Sequence, residues 1–297
     1  VMLLNLVANA AGFRAVGHSF DGRISLPFIG GIYNGAHIIA TINMMLLFHL
    51  GGFHKRPIPT VLAAAAFGVG LLLMLNINSR LSIMIFFVLV ILFASRSVRR
   101  VRGLYTISLF TLPLLMSFSL LVYEVLSLPF FRSLLGRVSK ADVTTFNGRT
   151  YLWEAAGEWL VDDRRGLLFG NGFMGQAHIG LLDFMKRLWE GDPDMIHMHS
   201  TFLEVLIDQG IIALVLLYVI VYKGYTHYRK EYLDRSVDAP LFAAFVYLMF
   251  IWQIDIFCYG MDMGNPLLFA MISGCCLHGR FVTRQRYALD GSLIGSG

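Results

Sequence analysis

Long, nearly uncharged apolar stretches recur along this chain, and nothing else in it constrains the fold as much. About 20 apolar residues in a helix match the hydrocarbon thickness of a bilayer. Lipid offers no partner for a backbone N–H or C=O, so such stretches must form helices, whose polar groups bond internally. Apolar residues make up 57% of the sequence and charged residues 14%, where a soluble domain carries about a quarter charged. That balance argues against a water-dispersed globule. The expectation is an all-α integral membrane protein.

Apolar segments fall at Val1–Phe13, Tyr33–Leu50, Ile58–Ile77, Leu81–Ala94, Leu104–Leu126, Thr201–Tyr222 and Leu241–Tyr259, with a shorter run at Leu267–Leu277. They predict a helical bundle of about seven to eight spans. The chain opens inside an apolar run with neither a basic leader nor a cleavage site, so further spans are expected upstream. Cys258, Cys275 and Cys276 lie in or beside apolar runs and form no disulfide or zinc pattern.

The net charge of +5 reads as orientation and not as a nucleic-acid surface. His54, Lys55 and Arg56 follow the second segment, and Arg96, Arg99, Arg100 and Arg102 follow the fourth. Lys223, Arg229, Lys230 and Arg235 follow the sixth, and Arg280, Arg284 and Arg286 lie in the tail. These clusters alternate with the other connections, so all fall on one side, which the positive-inside rule makes cytoplasmic. Gly12–Ile32, the Asn76–Arg80 turn, Ser127–Ser200 and Gly260–Pro266 then face outward. The chain divides into helices with short loops over 1–127, a large outward loop over 128–200, and helices with a tail over 201–297. The outward loop carries Leu152, Trp153, Trp159, Leu160, Phe184, Leu188 and Trp189 at helical spacing. Amphipathic helices lying on or dipping into the outer interface are expected there.

Several outward residues are candidates for chemistry. Arg80 stands between two apolar runs with almost no loop, so it is either a helix-end arginine reaching for water or an anion clamp. Arg149 follows the turn signal Asn147-Gly148 and precedes Thr150, a residue type that caps helices. A cation at a helix start opposes the macrodipole, so an anionic partner is expected unless the side chain is simply solvated. His197 and His199 form His-x-His beside Asp192 and Asp194, but no third ligand has metal spacing. No metal and no cofactor are expected. His199 suits a proton acceptor or a phosphate donor at the mouth of a cavity.

Glu204 and Asp208 share one helix face at i, i+4 inside an apolar run, where carboxylates must face a bundle interior or water. They are either structural partners for an arginine or part of the chemistry, and Asp255 in a later run is a further candidate. Gly170-Asn171-Gly172-Phe173-Met174-Gly175 matches G-x-G-x-x-G, yet it lies in the outward loop with no βαβ unit around it, so the dinucleotide reading fails. Those glycines instead let the backbone turn tightly or approach a ligand.

Four strings occur in order: Asn78-Ser79-Arg80 before an apolar run, Gly148-Arg149 with Trp153, Gly170-x-Gly172, and His199-Ser200 with Leu203, Asp208 and Gly210. The series resembles the O-antigen ligase and Wzy-type polymerase superfamily of bacterial membrane glycosyltransferases, from roughly Arg23 to Pro266. The resemblance implies a helical bundle like that of C-type glycosyltransferases, with a large periplasmic loop, in the bacterial inner membrane. It implies a glycan donor on undecaprenyl pyrophosphate, metal-independent transfer with inversion, and a glycan or lipid A-core acceptor. Arg80 and Arg149 would hold the pyrophosphate, with Arg23 contributing, and His199 would stand near the transferring centre. This chain has Ser200 where the family usually has Asn, Asp208 where it often has Glu, and no proline before the glycine pair. The base is therefore left among His199, Glu204 and Asp208. A growing polysaccharide, a lipid A core and a protein serine all remain as acceptors.

Two other classes compete. A transporter or flippase of envelope precursors would show internal repeats and interrupted helices at mid-membrane; no repeat is present, and the polar residues gather at the outer edge. A structural subunit of an envelope complex would leave the outward arginines free to vary.

Overall fold

The computed structural model describes residues 2–12, 17–18, 24–25, 32–52, 57–77, 79–94, 103–111, 128–129, 149–184, 197–234, 239–256 and 270. In chain order the helices are α1 (Met2–Ala10), α2 (Ile32–Gly52), α3 (Pro57–Ile77), α4 (Arg80–Ala94) and α5 (Leu104–Leu109). They continue with α6 (Arg149–Asp162), α7 (Arg164–Phe169), α8 (Gly175–His178), α9 (Thr201–Leu233) and α10 (Ala239–Ile254). Two short strands, β1 (Gly17–His18) and β2 (Ile24–Ser25), pair antiparallel, with Gly17 opposite Ser25 and His18 opposite Ile24. That pair falls within the 12–32 connection, for which no strand was expected.

Helix α10 is apolar on every side, which suits a helix surrounded by others or by lipid. Phe242 through Met249 are all buried, and α10 packs on α2, α4, α5 and α9. Around the start of α10, Phe242 meets Phe93 edge-on at 5.8 Å and stacks on Tyr232 at 5.1 Å. Such aromatic pairs add about 0.5–1.5 kcal/mol each beyond burial. The opposite end of α10 is polar and forms the site.

Among the described residues two helices, Pro57–Ile77 and Thr201–Leu233, are long and apolar enough to cross a membrane, and shorter apolar helical stretches cover Gly35–Phe48, Leu81–Phe93 and Pro240–Ile254. Helix α3 leaves Ile58, Val61 and Leu62 exposed, and α9 leaves Ile212, Val215, Leu216 and Val219 exposed. Contiguous apolar surface of this kind suits lipid better than water.

Expected spans and observed helices agree closely at α2, α3 and α4. Helix α9 departs from expectation by running past Tyr222 to Leu233, so Lys223, Arg229 and Lys230 lie on a helix and not in a loop. Aromatic packing extends it: buried Tyr225 and Tyr228 lie 5.6 Å from Phe242 and 5.4 Å from Phe245 of α10. Of the expected Leu104–Leu126 span, 112–126 lie outside the described residues, as does nearly all of Leu267–Leu277. In the 128–200 segment, Leu152, Trp153 and Trp159 are buried in the core of the fold, where positions at an interface were expected. The Trp153 indole N–H also finds a buried partner, the Met198 carbonyl, at 2.9 Å. Leu188 and Trp189 lie outside the described residues.

Helix α9 is broken once. Gly210 takes φ 77° and ψ 177° inside it, a backbone region that is essentially glycine's alone. A side chain there would also collide with the Leu168 carbonyl and approach Gly170 N to 2.7 Å. Glu204 and Asp208 therefore belong to a short helical piece ahead of the break and not to the apolar span that follows it. Gly210→Ala should lower the unfolding temperature in detergent, at a cost of about 1–3 kcal/mol for the strained backbone alone. Gly157→Ala, in α6 with nothing within 4 Å of the new methyl, should be neutral or stabilising by up to about 1 kcal/mol. Equal unfolding temperatures for the two variants would show that the break is not required.

Candidate active site

An α-helix ends with carbonyls that lack intrahelical partners. At the end of α10 these are taken up by three residues from two other segments. Ser200 Oγ donates to the Gln253 carbonyl at 2.8 Å, Arg149 Nη1 to that of Ile254 at 2.8 Å, and Thr201 to that of Asp255 through N at 3.2 Å and Oγ1 at 3.0 Å. Arg149 and Ser200–Thr201 are thereby fastened to one point. Thr150 does not cap α6, which already begins at Arg149.

Asp255, just past that helix end, is buried and collects groups from three other segments. Its Oδ2 lies 3.4 Å from Arg149 Nη2 and 3.2 Å from His37 Nε2. Its Oδ1 lies 3.4 Å from His199 Nδ1 and accepts the Ile256 N–H at 2.9 Å. The Arg149 guanidinium and the hydrogen bonds from His199 and His37 favour the ionised form of this buried carboxyl. The group is an anion in the folded protein, and the anionic partner expected for Arg149 is this carboxylate.

His199 is held from both sides. Met198 N donates to Glu204 Oε2 at 2.9 Å, and Ser200 is bound to α10 as described. Between them His199 adopts φ 47°, a left-handed conformation uncommon outside glycine. Its side chain remains 20% exposed. Burial and the nearby Arg149 lower its pKa below the usual 6.5, against an upward pull from Asp255. A neutral imidazole that donates through Nδ1 to Asp255 carries its lone pair on Nε2, the form of a general base.

Glu204 and Asp208 have bonding duties in the scaffold. Glu204 accepts from Gln176 Nε2 at 2.8 Å and Met198 N at 2.9 Å, and lies 3.1 Å from His197 Nδ1. Asp208 accepts the amides of Met174 at 3.2 Å and Gly175 at 2.7 Å. The break at Gly210 frees the carbonyls of Ile207 and Asp208, which take the N–H groups of Asn171 and Gly172, both at 2.9 Å. The glycine loop thus wraps its own protein's helix end, and a carboxylate occupies amides of the kind that elsewhere cradle a phosphate. Gly170 permits this approach, since a side chain on it would collide with the Asp208 carbonyl.

A groove of about 540 Å³ opens beside α6, lined by Tyr151, Glu154, Glu158, Trp159, Asp162 and Phe184 among others. Its carboxylates give it a negative potential that disfavours an anion.

Arg149 and His199 therefore meet on one carboxylate. Arg80 begins α4, and its neighbour Ser79 leads toward the same point: Ser79 Oγ lies 2.8 Å from Ser82 Oγ, which lies 2.9 Å from His37 Nδ1. Arg23 lies outside the described residues. His37 was not singled out from sequence; a histidine within an apolar run was the available signal.

Comparison with known proteins bears on the family of the chain. The family model described as O-antigen ligase matches residues 38–218. The exopolysaccharide production protein ExoQ of Rhizobium meliloti (strain 1021) is 29% identical over 99 residues, covering 32% of this chain and 22% of that relative. The matched part is thus well under two thirds of the relative's length. No solved structure matches the chain.

Removing Arg149 leaves a buried carboxylate without its cation, a loss of about 3–5 kcal/mol. Arg149→Met should accordingly unfold at lower temperature than wild type in detergent, and Arg149→Met with Asp255→Asn should regain part of that loss. A single mutant as stable as wild type would remove the ion pair from the account.

Proposed function

The chain belongs to the O-antigen ligase family, and on that premise we propose that it transfers a glycan from a polyprenyl-pyrophosphate donor to an acceptor hydroxyl at the outer face of a bacterial inner membrane. The observation that carries this reading is the meeting of Arg149 and His199 on the Asp255 carboxylate. In the proposed step the acceptor oxygen attacks the anomeric carbon from the side opposite the pyrophosphate. The bond between that carbon and the phosphate oxygen breaks, and the pyrophosphate leaves with the electron pair. His199 Nε2 takes the acceptor's proton, and Asp255 stabilises the imidazolium that forms.

Arg149, with Arg80 and Arg23 assigned to the same task, meets the charge that grows on the leaving group. Guanidinium stays charged throughout, and with five N–H donors it keeps some beyond the bonds that Arg149 makes to the Ile254 carbonyl and Asp255. Such stabilisation counts most where charge develops, in the transition state. Glu204 and Asp208 are assigned to holding the 170–175 loop and the 197–199 segment, which leaves His199 as the base. We assign the product to a growing polysaccharide over a lipid A core, because the matching relative is named for exopolysaccharide production.

Arg80→Ala, Arg149→Ala and His199→Ala should each abolish glycan transfer while the protein still accumulates in membranes. Surface glycans of a deletion strain complemented with each variant are the readout; normal polysaccharide in all three would end the proposal. Single repeat units in the deletion strain identify a polymerase, and polymer retained on its lipid carrier identifies a ligase. Because His199 works as a neutral base with a lowered pKa, transfer by the wild type should persist as pH falls and fail only below about 6.5. An acid limb above that value would exclude His199 as the base.

A further inference from the structure

We infer that His37 is a positioning residue that orients the Asp255 carboxylate and, through it, the lone pair of His199. This rests on the glycan-transfer reading above. His37 lies in α2, far in sequence from the site, with no exposed surface. Both of its ring nitrogens are engaged: Nε2 with Asp255 Oδ2 at 3.2 Å, and Nδ1 with Ser82 Oγ at 2.9 Å and Tyr247 OH at 3.2 Å.

An ionised carboxylate can only accept, so His37 Nε2 carries the proton that Asp255 receives. On the other side of the ring, Nδ1 lies against the Ser82 and Tyr247 hydroxyls, which hold the ring in plane, and Ser82 is in turn bonded to Ser79, the residue preceding Arg80. At the carboxylate, His37 and Arg149 share Oδ2 while His199 meets Oδ1. Without His37 the carboxylate is free to turn both oxygens on the Arg149 fork, and the bond that sets the His199 tautomer loosens.

The experiment uses the full-length protein in membranes and the lipid-linked glycan extracted from its own host as donor. His37→Leu keeps apolar volume and removes the N–H; His37→Gln places an amide N–H near the position of Nε2. His37→Leu should lower kcat by about 10-fold or more, the worth of a hydrogen bond to a charged group, with KM for the donor unchanged. His37→Gln should restore most of that loss. A kcat equal to wild type in His37→Leu overturns the inference, as does equal damage by Leu and Gln or an effect on KM alone. Should His37→Leu fail to accumulate, Ser82→Ala with Tyr247→Phe decides: reduced kcat at constant KM supports the role, and wild-type kcat overturns it. A wild-type protein that transfers nothing overturns the glycan reading and this inference with it; an active wild type with an unimpaired His37→Leu overturns this inference alone.

Discussion

One buried carboxylate organises the polar end of this bundle. Asp255 stands at the end of an apolar helix, where the terminal carbonyls already present partial negative charge. A further full negative charge there is costly unless cations and hydrogen bonds converge on it. Arg149 answers both demands, bonding the Ile254 carbonyl with one nitrogen and the carboxylate with another. His37 and His199 complete the set. Four stretches far apart in the chain are thereby brought to one point, and the apolar contacts of α10 decide where that point lies.

A second exchange of polar groups lies beside it. Carboxylates at Glu204 and Asp208 bond main-chain amides of the 174–175 turn and of Met198, while the freed carbonyls of Ile207 and Asp208 receive amides of Asn171 and Gly172. Helix end and loop supply each other's missing partners. Buried polar groups are held when every member of such a set is bonded, and the set fixes the segment that carries His199.

Much of the helical layout was legible because uninterrupted apolar runs have few other ways to fold. The expected runs at Tyr33–Leu50, Ile58–Ile77 and Leu81–Ala94 correspond to α2, α3 and α4 within about two residues. Arg149 stood out because a cation after a turn signal opposes the helix that starts there, so that an anion was expected beside it, and His199 because an imidazole stands just before an apolar run. What escaped the sequence depends on contacts between distant segments. The extension of α9 to Leu233 follows from tyrosines packing on α10, and nothing local to that stretch marks it. The duties of Glu204 and Asp208 follow from a helix break whose glycine has the same letter as any other. His37 looked like an apolar-run histidine until the fold set Asp255 and Ser82 against its two nitrogens.

The break at Gly210 also separates two mechanical environments. A continuous rod would carry any change in its tilt straight into the residues at its tip. Spans do tilt to match the thickness of the lipid around them. A single residue outside helical geometry acts as a joint: the span beyond it can adjust its angle to the bilayer, while the piece before it stays bolted to the glycine loop and keeps the neighbouring imidazole in register.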